Sequence, residues 1–570
     1  MGSDACPLAE EYRPAQRAKL VSLLPWNGGQ SILQQVLGVV FVWGFILTLH
    51  LHNNGLWYQG DSPRHAGNGI FWWDFLTHFP VNPFTFALEY FARYPVIAPT
   101  IYPPVFYLLE GGAFSLFGIS PFVAKGLVLV FALVAAFYMV LWLRQAVSPA
   151  AGWGGALLLL QPGVIVWSNA IMLNVPAMTL GLATLYHGRQ LLDAPQSRQL
   201  YLVAVFGVLA ILTYLPAAVI AFVLLAWLVV ERRGTIFLQP RPWVVAGLVV
   251  LALAPWTLIT LKWAPTHVGM VSGSAFPTSL SFVEPQRWLF YLQSLPELFT
   301  HWVLALAAVG AVSGLWSRRW RREVKLALVW FIVCYVAYSL VAAREPRYVL
   351  LLGPPLVLLS VIGLVSGVDC LAAAFRCNPS RMQLAGLGAF IGLHLLSTPE
   401  VPVPAIRGME KIVAFLEQVA PDQRLFYEGK FDGVFSFYIR AHDRELTRSV
   451  TLDSKLLYAT AMDPSLGIVE MVASPHDVVE AFRVRCGCRW LVVESERAGK
   501  EVAGVQYLRE ALAGPEFELV RSLPVDAPQP APARVDVYRF KPPIEMPRQQ
   551  ELRFPILGDQ TVYQVQPIEH

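Results

Sequence analysis

Between residues 31 and 397 the sequence returns again and again to apolar runs, and this constrains the fold more than any other feature. A membrane-spanning helix needs about 20 mostly apolar residues. Such runs fall at roughly 31–51, 122–143, 150–167, 172–188, 200–214, 216–230, 242–262, 297–316, 326–342, 347–365 and 384–397. Charge follows the same division: of the 82 Lys, Arg, Asp and Glu residues, 37 lie in residues 1–397 and 45 in the remaining 173. With 55% hydrophobic and 14% charged residues against about 25% charge in a soluble chain, a soluble, fibrous or disordered protein is excluded. The expected fold is therefore a polytopic α-helical membrane protein of about 11 transmembrane helices with a small extracytoplasmic α/β domain at its C-terminus. A net charge of +4 gives no support for nucleic acid as a partner. The six cysteines are scattered, with no CxxC pair, and do not read as a disulfide framework. Cys486 and Cys488 share one face of an expected strand, where core packing is the simpler reading.

Lys and Arg in short loops set the orientation. With residues 1–30 as a cytoplasmic segment and the first run as an uncleaved anchor, the cytoplasmic loops hold Arg144, Arg189, Arg232, Arg233, Arg376 and the run Arg318-Arg319-Trp320-Arg321-Arg322. The opposite loops carry few positive charges. This arrangement requires residues 102–118, apolar but containing Glu110, to lie at the outer interface rather than cross. It puts 31–397 in the bilayer, with a long first outer loop at 52–121, and 398–545 outside. Residues 546–570 read as an extended tail. The expected location is a bacterial inner or plasma membrane.

The long outer loop is rich in aromatics and turn signals. It opens with Asp61-Ser62-Pro63-Arg64-His65, continues through Phe71-Trp72-Trp73-Asp74-Phe75, and reaches Arg93-Tyr94-Pro95. Loops beyond about 15 residues usually have a job. Asp61 fits two roles, a helix N-cap and a general base that takes a proton from an acceptor hydroxyl. Asp74, further along the same expected helix, is a second candidate for that base.

Gly60-Asp61-Ser62-Pro63-Arg64-His65-Ala66, followed by Tyr102-Pro103-Pro104-Val105-Phe106-Tyr107-Leu108-Leu109 and Leu116-Phe117-Gly118, resembles the opening of the GT-C glycosyltransferases. Within them it is most similar to the protein O-mannosyltransferase and lipid A aminoarabinose transferase superfamily. Leu173-Asn174-Val175-Pro176, Thr213-Tyr214-Leu215-Pro216 and Arg344-Glu345-Pro346-Arg347-Tyr348-Val349-Leu350 resemble later segments of that family, so the resemblance spans about residues 30–365. It departs where the family's Asp-Glu pair is Asp61-Ser62 and where its second-loop aspartate is Asn174. These changes leave Asp61 as the main base and weaken the case for a divalent metal; no cofactor is expected.

The resemblance implies a polyprenyl-phosphate sugar donor and a lipid, glycan or protein hydroxyl acceptor. The donor needs an apolar groove for its isoprenoid and cations for its phosphate. Outer-face cations are scarce, and Arg64, Arg344, Arg347 and Lys125 are the phosphate candidates, an arginine fork suiting bidentate contact. Interfacial anchoring, or pairing with Glu345, is the alternative for the arginines, and snorkelling for Lys125. His65, Arg93, Tyr94, Tyr102, Asn174 and Tyr348 are expected to line the substrate cavity. Residues 263–296, with Gly269, Ser272, Gly273, Ser274, Glu284 and Arg287, form an expected lid. His78, His267 and His301 lack metal-ligand spacing, and no nucleotide, zinc-protease or serine-hydrolase motif is present.

In residues 398–545, helices are expected at 410–419 and 476–484 and strands at 424–428, 489–494 and 535–539. The functional expectation is a glycosyltransferase acting outside the cytoplasm. The alternative is a transporter or flippase of a lipid-linked glycan. The absence of repeated halves and of midplane charge argues against the alternative.

Overall fold

Every apolar run is helical in the computed structural model, which describes residues 31–50, 55–57, 61–98, 101–193, 198–263, 284–341, 344–421, 423–460, 468–495, 502–527, 534–545, 550–553 and 562–565. Residues 1–30, most of the expected lid (Gly269, Ser272, Gly273 and Ser274), His267 and most of the tail lie outside this set. Among the described residues, five helices are long and apolar enough to cross a membrane: α1 (Ile32–Leu49), Pro121–Ala146, Pro240–Lys262, Arg321–Leu340 and Pro346–Ala374. Two bent pairs, Ala150–Leu159 with Pro162–Asn169 and Pro285–Leu298 with His301–Trp316, raise the number to seven. The expected eleven is thus not reached by length and composition. Breaks shorten several segments, as where Gln199–Ile211 stops at 13 residues ahead of Pro216. Asn174–Asp193 and Pro379–Ser397 are long enough, at 20 and 19 residues, but are less apolar.

Helices suit this environment because they satisfy their own backbone hydrogen bonds. Small residues let them approach: a Cβ on Gly310 would stand 1.9 Å from the Leu359 carbonyl oxygen, so His301–Trp316 and Gly353–Ala374 touch backbone to backbone. At one end, buried Glu323 accepts from Arg189 Nε at 2.7 Å and Trp142 Nε1 at 2.9 Å, tying three segments together.

The first outer loop folds into α2 (Asp61–His78), α3 (Pro83–Arg93) and α4 (Val105–Phe117), ahead of α5 (Pro121–Ala146). Helix α4 has 13 residues, about 20 Å, short of the roughly 30 Å hydrocarbon thickness, in keeping with an interfacial helix. It lies tightly on α2. A Cβ on Gly111 would be 2.8 Å from the Gly69 carbonyl oxygen, so only glycine permits this approach.

The C-terminal region builds a five-stranded sheet. Its strands are β1 (Arg424–Glu428), β2 (Ser449–Leu452), β5 (Trp490–Glu494), β6 (Phe517–Pro524) and β7 (Arg534–Phe540), with the hairpin β3 (Tyr458–Thr460) and β4 (Ile468–Glu470) set apart. The order is β2-β1-β5-β7-β6, with β1 parallel to β2 and β5, and β7 antiparallel to β5 and β6. β1 and β5 are buried throughout, as strands covered on both faces must be. The strands expected at 424–428, 489–494 and 535–539 match β1, β5 and β7, and the helix expected at 410–419 matches Met409–Val419. The cysteine reading needs correction. Cys486 and Cys488 form a disulfide across Gly487, at the end of a helical turn before β5 rather than on a strand face. Gly487 takes a φ of 65°, which lets the turn close.

One hydrophobic core runs from the first outer loop into this domain. Ala66, Ile70, Phe71, Tyr90 and Tyr94 join Ile412, Leu416, Leu425, Phe435 and Ile439 in it. A buried polar cluster pins the same junction. Arg440 Nε lies 3.1 Å from Asp74 Oδ2, the Tyr90 hydroxyl donates to that oxygen at 2.7 Å, and the Tyr94 hydroxyl donates to Asp443 at 2.5 Å. Arg93 donates to the Leu446 carbonyl. Removing one partner of a buried ion pair strands the other charge, at about 3–5 kcal/mol. Arg440→Ala should therefore lower the apparent Tm and speed proteolysis of residues 398–545, and Arg440→Ala with Asp74→Leu together should recover part of the loss. Limited proteolysis and thermal unfolding of the purified protein check this.

Candidate functional site

The beginning of α2 is where charge accumulates. Asp61 is its first residue, and a carboxylate there is favoured by the helix dipole. Both side-chain oxygens are engaged. Oδ1 accepts from Tyr102 Oη at 2.8 Å and from Arg64 Nη1 at 3.0 Å; Oδ2 accepts from Arg347 Nη2 at 2.8 Å. These partners come from three places. Arg64 stands one turn along α2, Tyr102 precedes the Pro103-Pro104 start of α4, and Arg347 sits in the short 3-10 helix Pro346–Leu352. Asp61 is thus neither a plain N-cap nor a free base but the centre of an ion-pair cluster.

Arg347 is nearly buried, at 8% exposure, and is held from all sides. Its Nε pairs with Glu345 Oε2 at 2.9 Å, Nη1 lies 3.0 Å from Met172 Sδ, and the guanidinium packs over the rings of Trp167 and Tyr348, each 5.7 Å away. Asn174 is buried at the start of its helix and hydrogen-bonds Tyr214, which stands within the field of Arg347, Tyr102 and Tyr348. His65 is buried beside them. Its Nδ1 is 2.6 Å from the Tyr107 hydroxyl, and its ring meets Tyr102 edge-on at 4.8 Å.

Burial works to raise the Asp61 pKa, but His65, which is charged only in the acid range where Asp61 titrates, with Arg64, Arg347 and the Tyr102 hydrogen bond, outweighs it and holds the carboxyl at about 2. Burial pushes His65 down to about 3, against the pull of Asp61, so its ring is neutral at physiological pH. With the cluster intact, Asp61 is ionised but a weak proton acceptor. Anything that draws off Arg347 strengthens it as a base.

The structure therefore gathers Asp61, Arg64, His65, Tyr102, Asn174, Arg347 and Tyr348 into one site. Asp74 is elsewhere: 13 residues along α2 places it about 20 Å from Asp61 and roughly 220° around the helix, in the ion pair with Arg440. Arg93 and Tyr94 serve the same domain junction. Lys125 is buried in α5 within the field of Arg407, in the segment leading to the outer domain. Arg344 is half-buried, in the field of Tyr291. Glu345 is the partner that sequence offered as an alternative for the arginines. Three further site residues had not been singled out: Met172, at the edge of the Asn174 motif, Tyr214, inside a quoted motif, and Trp167, which carried no signal. Among the described residues no group of three His, Cys, Asp or Glu side chains is placed to hold a metal ion. The donors around Asp61 are guanidinium and phenol groups, a set that suits an anion and not a cation.

A family model for dolichyl-phosphate-mannose-protein mannosyltransferase matches residues 102–259. No curated protein matches the sequence. Among solved structures, the chain is similar to ArnT from Cupriavidus metallidurans bound to undecaprenyl phosphate, with TM-score 0.60 and 15% identity, over 89% of this chain and 97% of that one. The apo state of the same enzyme gives TM-score 0.57 and 16% identity over the same shares. The oligosaccharyltransferase of Archaeoglobus fulgidus in complex with Zn and sulfate gives TM-score 0.51 and 14% identity, over 80% of this chain and 68% of that one.

Replacing Arg347 with Lys keeps the charge and loses the planar fork. The loss of charge-assisted hydrogen bonds should weaken use of a polyprenyl-phosphate donor roughly 10- to 100-fold. Arg344→Lys, outside the Asp61 cluster, should change it less. Initial-rate measurements of KM for the donor distinguish the two. The chain thus shares the fold of ArnT, and the segment that holds Tyr102, Asn174 and Tyr214 matches the dolichyl-phosphate-mannose-protein mannosyltransferase family model.

Proposed function

We propose that this enzyme transfers a sugar from a polyprenyl-phosphate donor to a hydroxyl acceptor at the extracytoplasmic face of the membrane, without a metal, and that Asp61 is its general base. The observation that carries the proposal is the ion pair between Arg347 and Asp61. A phosphate entering the site competes with Asp61 for the same guanidinium, whose fork fits phosphate oxygens as well as it fits a carboxylate. Donor binding then has two effects. It neutralises the future leaving group, and it relieves Asp61 of the positive charge that holds its pKa down.

The chemistry follows from that exchange. The acceptor hydroxyl gives its proton to an Asp61 oxygen as its own oxygen bonds to the anomeric carbon. The bond from that carbon to the phosphate oxygen breaks, and the electron pair leaves with the polyprenyl phosphate, whose charge Arg347 offsets. Neutral His65 holds Tyr107 and flanks Tyr102, keeping the phenol aimed at Asp61. ArnT, which shares the fold, is solved with undecaprenyl phosphate bound, and a lipid phosphate of that class fits the anion-seeking cluster seen here. The transporter reading draws no comparable support from the family match or the shared fold.

The disulfide between Cys486 and Cys488 supports an oxidising compartment for the outer domain, and the arginine run at 318–322 supports a cytoplasmic position for the opposite face. In a background with the exposed free cysteines Cys370 and Cys377 changed to Ser, a cysteine placed at Arg444 should react with an impermeant thiol reagent on intact cells, and one placed at Arg318 should react only after permeabilisation. The opposite pattern would invert the membrane orientation.

Asp61→Asn preserves size and hydrogen-bonding reach and removes basicity. A positioned base contributes about 10²- to 10⁴-fold. With Glu345 still paired to Arg347 the variant should fold, with a Tm lowered by the lost ion pair, and lose transfer by that factor while still binding undecaprenyl phosphate. Full turnover by Asp61→Asn would end the assignment of Asp61 as base.

A further inference from the structure

We propose that Asp432, a residue of the outer domain, is a positioning residue of the transfer site that acts on Asp61 through Arg64. The proposal rests on the transferase reading above and extends the site across the domain junction. The helix Asp432–His442 starts where α2 starts: a Cβ on Gly433 would stand 3.1 Å from Pro63 Cβ, one residue from Arg64, and 3.5 Å from Val96. Asp432 is half-buried there, with Oδ1 accepting from the Gly433 N–H at 2.6 Å. Arg64 makes its ion pair with Asp61 at 3.0 Å and lies in the attractive field of Asp432 as well. Arg64 thus pairs with Asp61 and lies in the field of a second carboxylate from the other domain.

The other charged and titratable groups facing Asp432 are Asp453 and Lys455, from the short helix after β2, Glu494 at the end of β5, and Tyr427 in β1. Burial, with Asp453 and Glu494 adding to it, pushes the Asp432 carboxyl up to about 6; the Gly433 N–H and Arg64 oppose the rise. Asp61 and His65, at about 2 and about 3, do not titrate in that range. Two carboxylates with pKa values driven apart around one site commonly divide the acid–base work. When Asp432 is ionised it competes for Arg64, and Asp61 keeps more of its basicity. When Asp432 is protonated, Arg64 turns wholly to Asp61 and weakens it as a base. The rate of transfer then has an acid limb near pH 6 that depends on Asp432.

The linkage has a definite sign. The Asp432 pKa is raised from 3.8 in the unfolded chain to about 6 in the fold, so its contribution to stability is present below 3.8 and lost as pH rises through about 6. The test uses the full-length purified protein, wild type, Asp432→Asn, Arg64→Gln and the double variant. In thermal unfolding without ligand, Asp432→Asn should match wild type at pH 4 and exceed it by a few degrees at pH 7.5. The gain should be larger in the Arg64→Gln background, where the charged Asp432 has lost its partner. In turnover with undecaprenyl-phosphoryl mannose, Asp432→Asn should lose the limb near pH 6 and show a kcat lowered several-fold, with donor KM unchanged. Asp432→Glu should retain the limb, and it replaces the Asn variant if that variant fails to fold. A merely structural Asp432 would shift Tm by the same amount with and without Arg64 and would leave the acid limb in place. That result, or an unchanged acid limb in Asp432→Asn, overturns the proposal. Absence of any sugar transfer by wild type would count against the transferase reading, while the unfolding cycle would still decide whether Asp432 and Arg64 are coupled.

Discussion

A carboxylate and a guanidinium, Asp61 and Arg347, meet at 2.8 Å although they are 286 positions apart in the sequence, and the surrounding structure is organised to make that meeting sustainable. Neither charge could remain so poorly solvated alone. Glu345, Tyr102 and Arg64 complete the hydrogen bonding, and Trp167, Tyr348 and Met172 supply polarisable surface for the guanidinium. The bundle fixes Arg347 through the short helix that leads into Gly353–Ala374, while α4, pressed against α2 at Gly69 and Gly111, fixes Asp61. An anion-binding site is built by holding its cation against a substitute anion that belongs to the protein.

That arrangement reconciles two demands that conflict in a single side chain. A general base for a hydroxyl should bind protons well, and a carboxylate that survives burial without substrate should bind them poorly. Asp61 meets the second demand in the resting site. On the proposed function the first is met when a phosphate takes over Arg347, which would couple basicity to donor occupancy. Such coupling protects the site from wasteful proton transfer when no donor is present.

Much of this was legible in the sequence where one residue carries one signal. The bilayer-like body follows from apolar runs, the outer strands β1, β5 and β7 from short β-branched and aromatic stretches, and Asp61, Arg347, Tyr102 and Asn174 from motif order. What escaped depends on juxtaposition. Asp74 looked like a second catalytic carboxylate because linear proximity cannot show which way a helix face points; its partner, Arg440, is 366 residues away. Tyr94 and Arg93 read as cavity residues for the same reason, although their partners are Asp443 and the Leu446 carbonyl. Trp167 and Met172 are ordinary apolar residues by composition, and only the packed site shows that they cover a charge. The span count is not confirmed where a proline breaks a run, as around Pro216, because apolar length there does not make one continuous helix.

The shared core between the first outer loop and the C-terminal domain has a consequence for biogenesis. Ile70, Phe71 and Tyr90 emerge early in synthesis, yet the surfaces that bury them, among them Phe435 and Ile439, come more than 300 residues later. At about 5–20 residues per second, the α2–α3 segment waits on the order of tens of seconds with its aromatic face uncovered. A nascent enzyme therefore passes through an interval in which its helices are inserted but its chemistry is not yet assembled, and the bilayer surface or a chaperone must shelter that face until the end of the chain arrives.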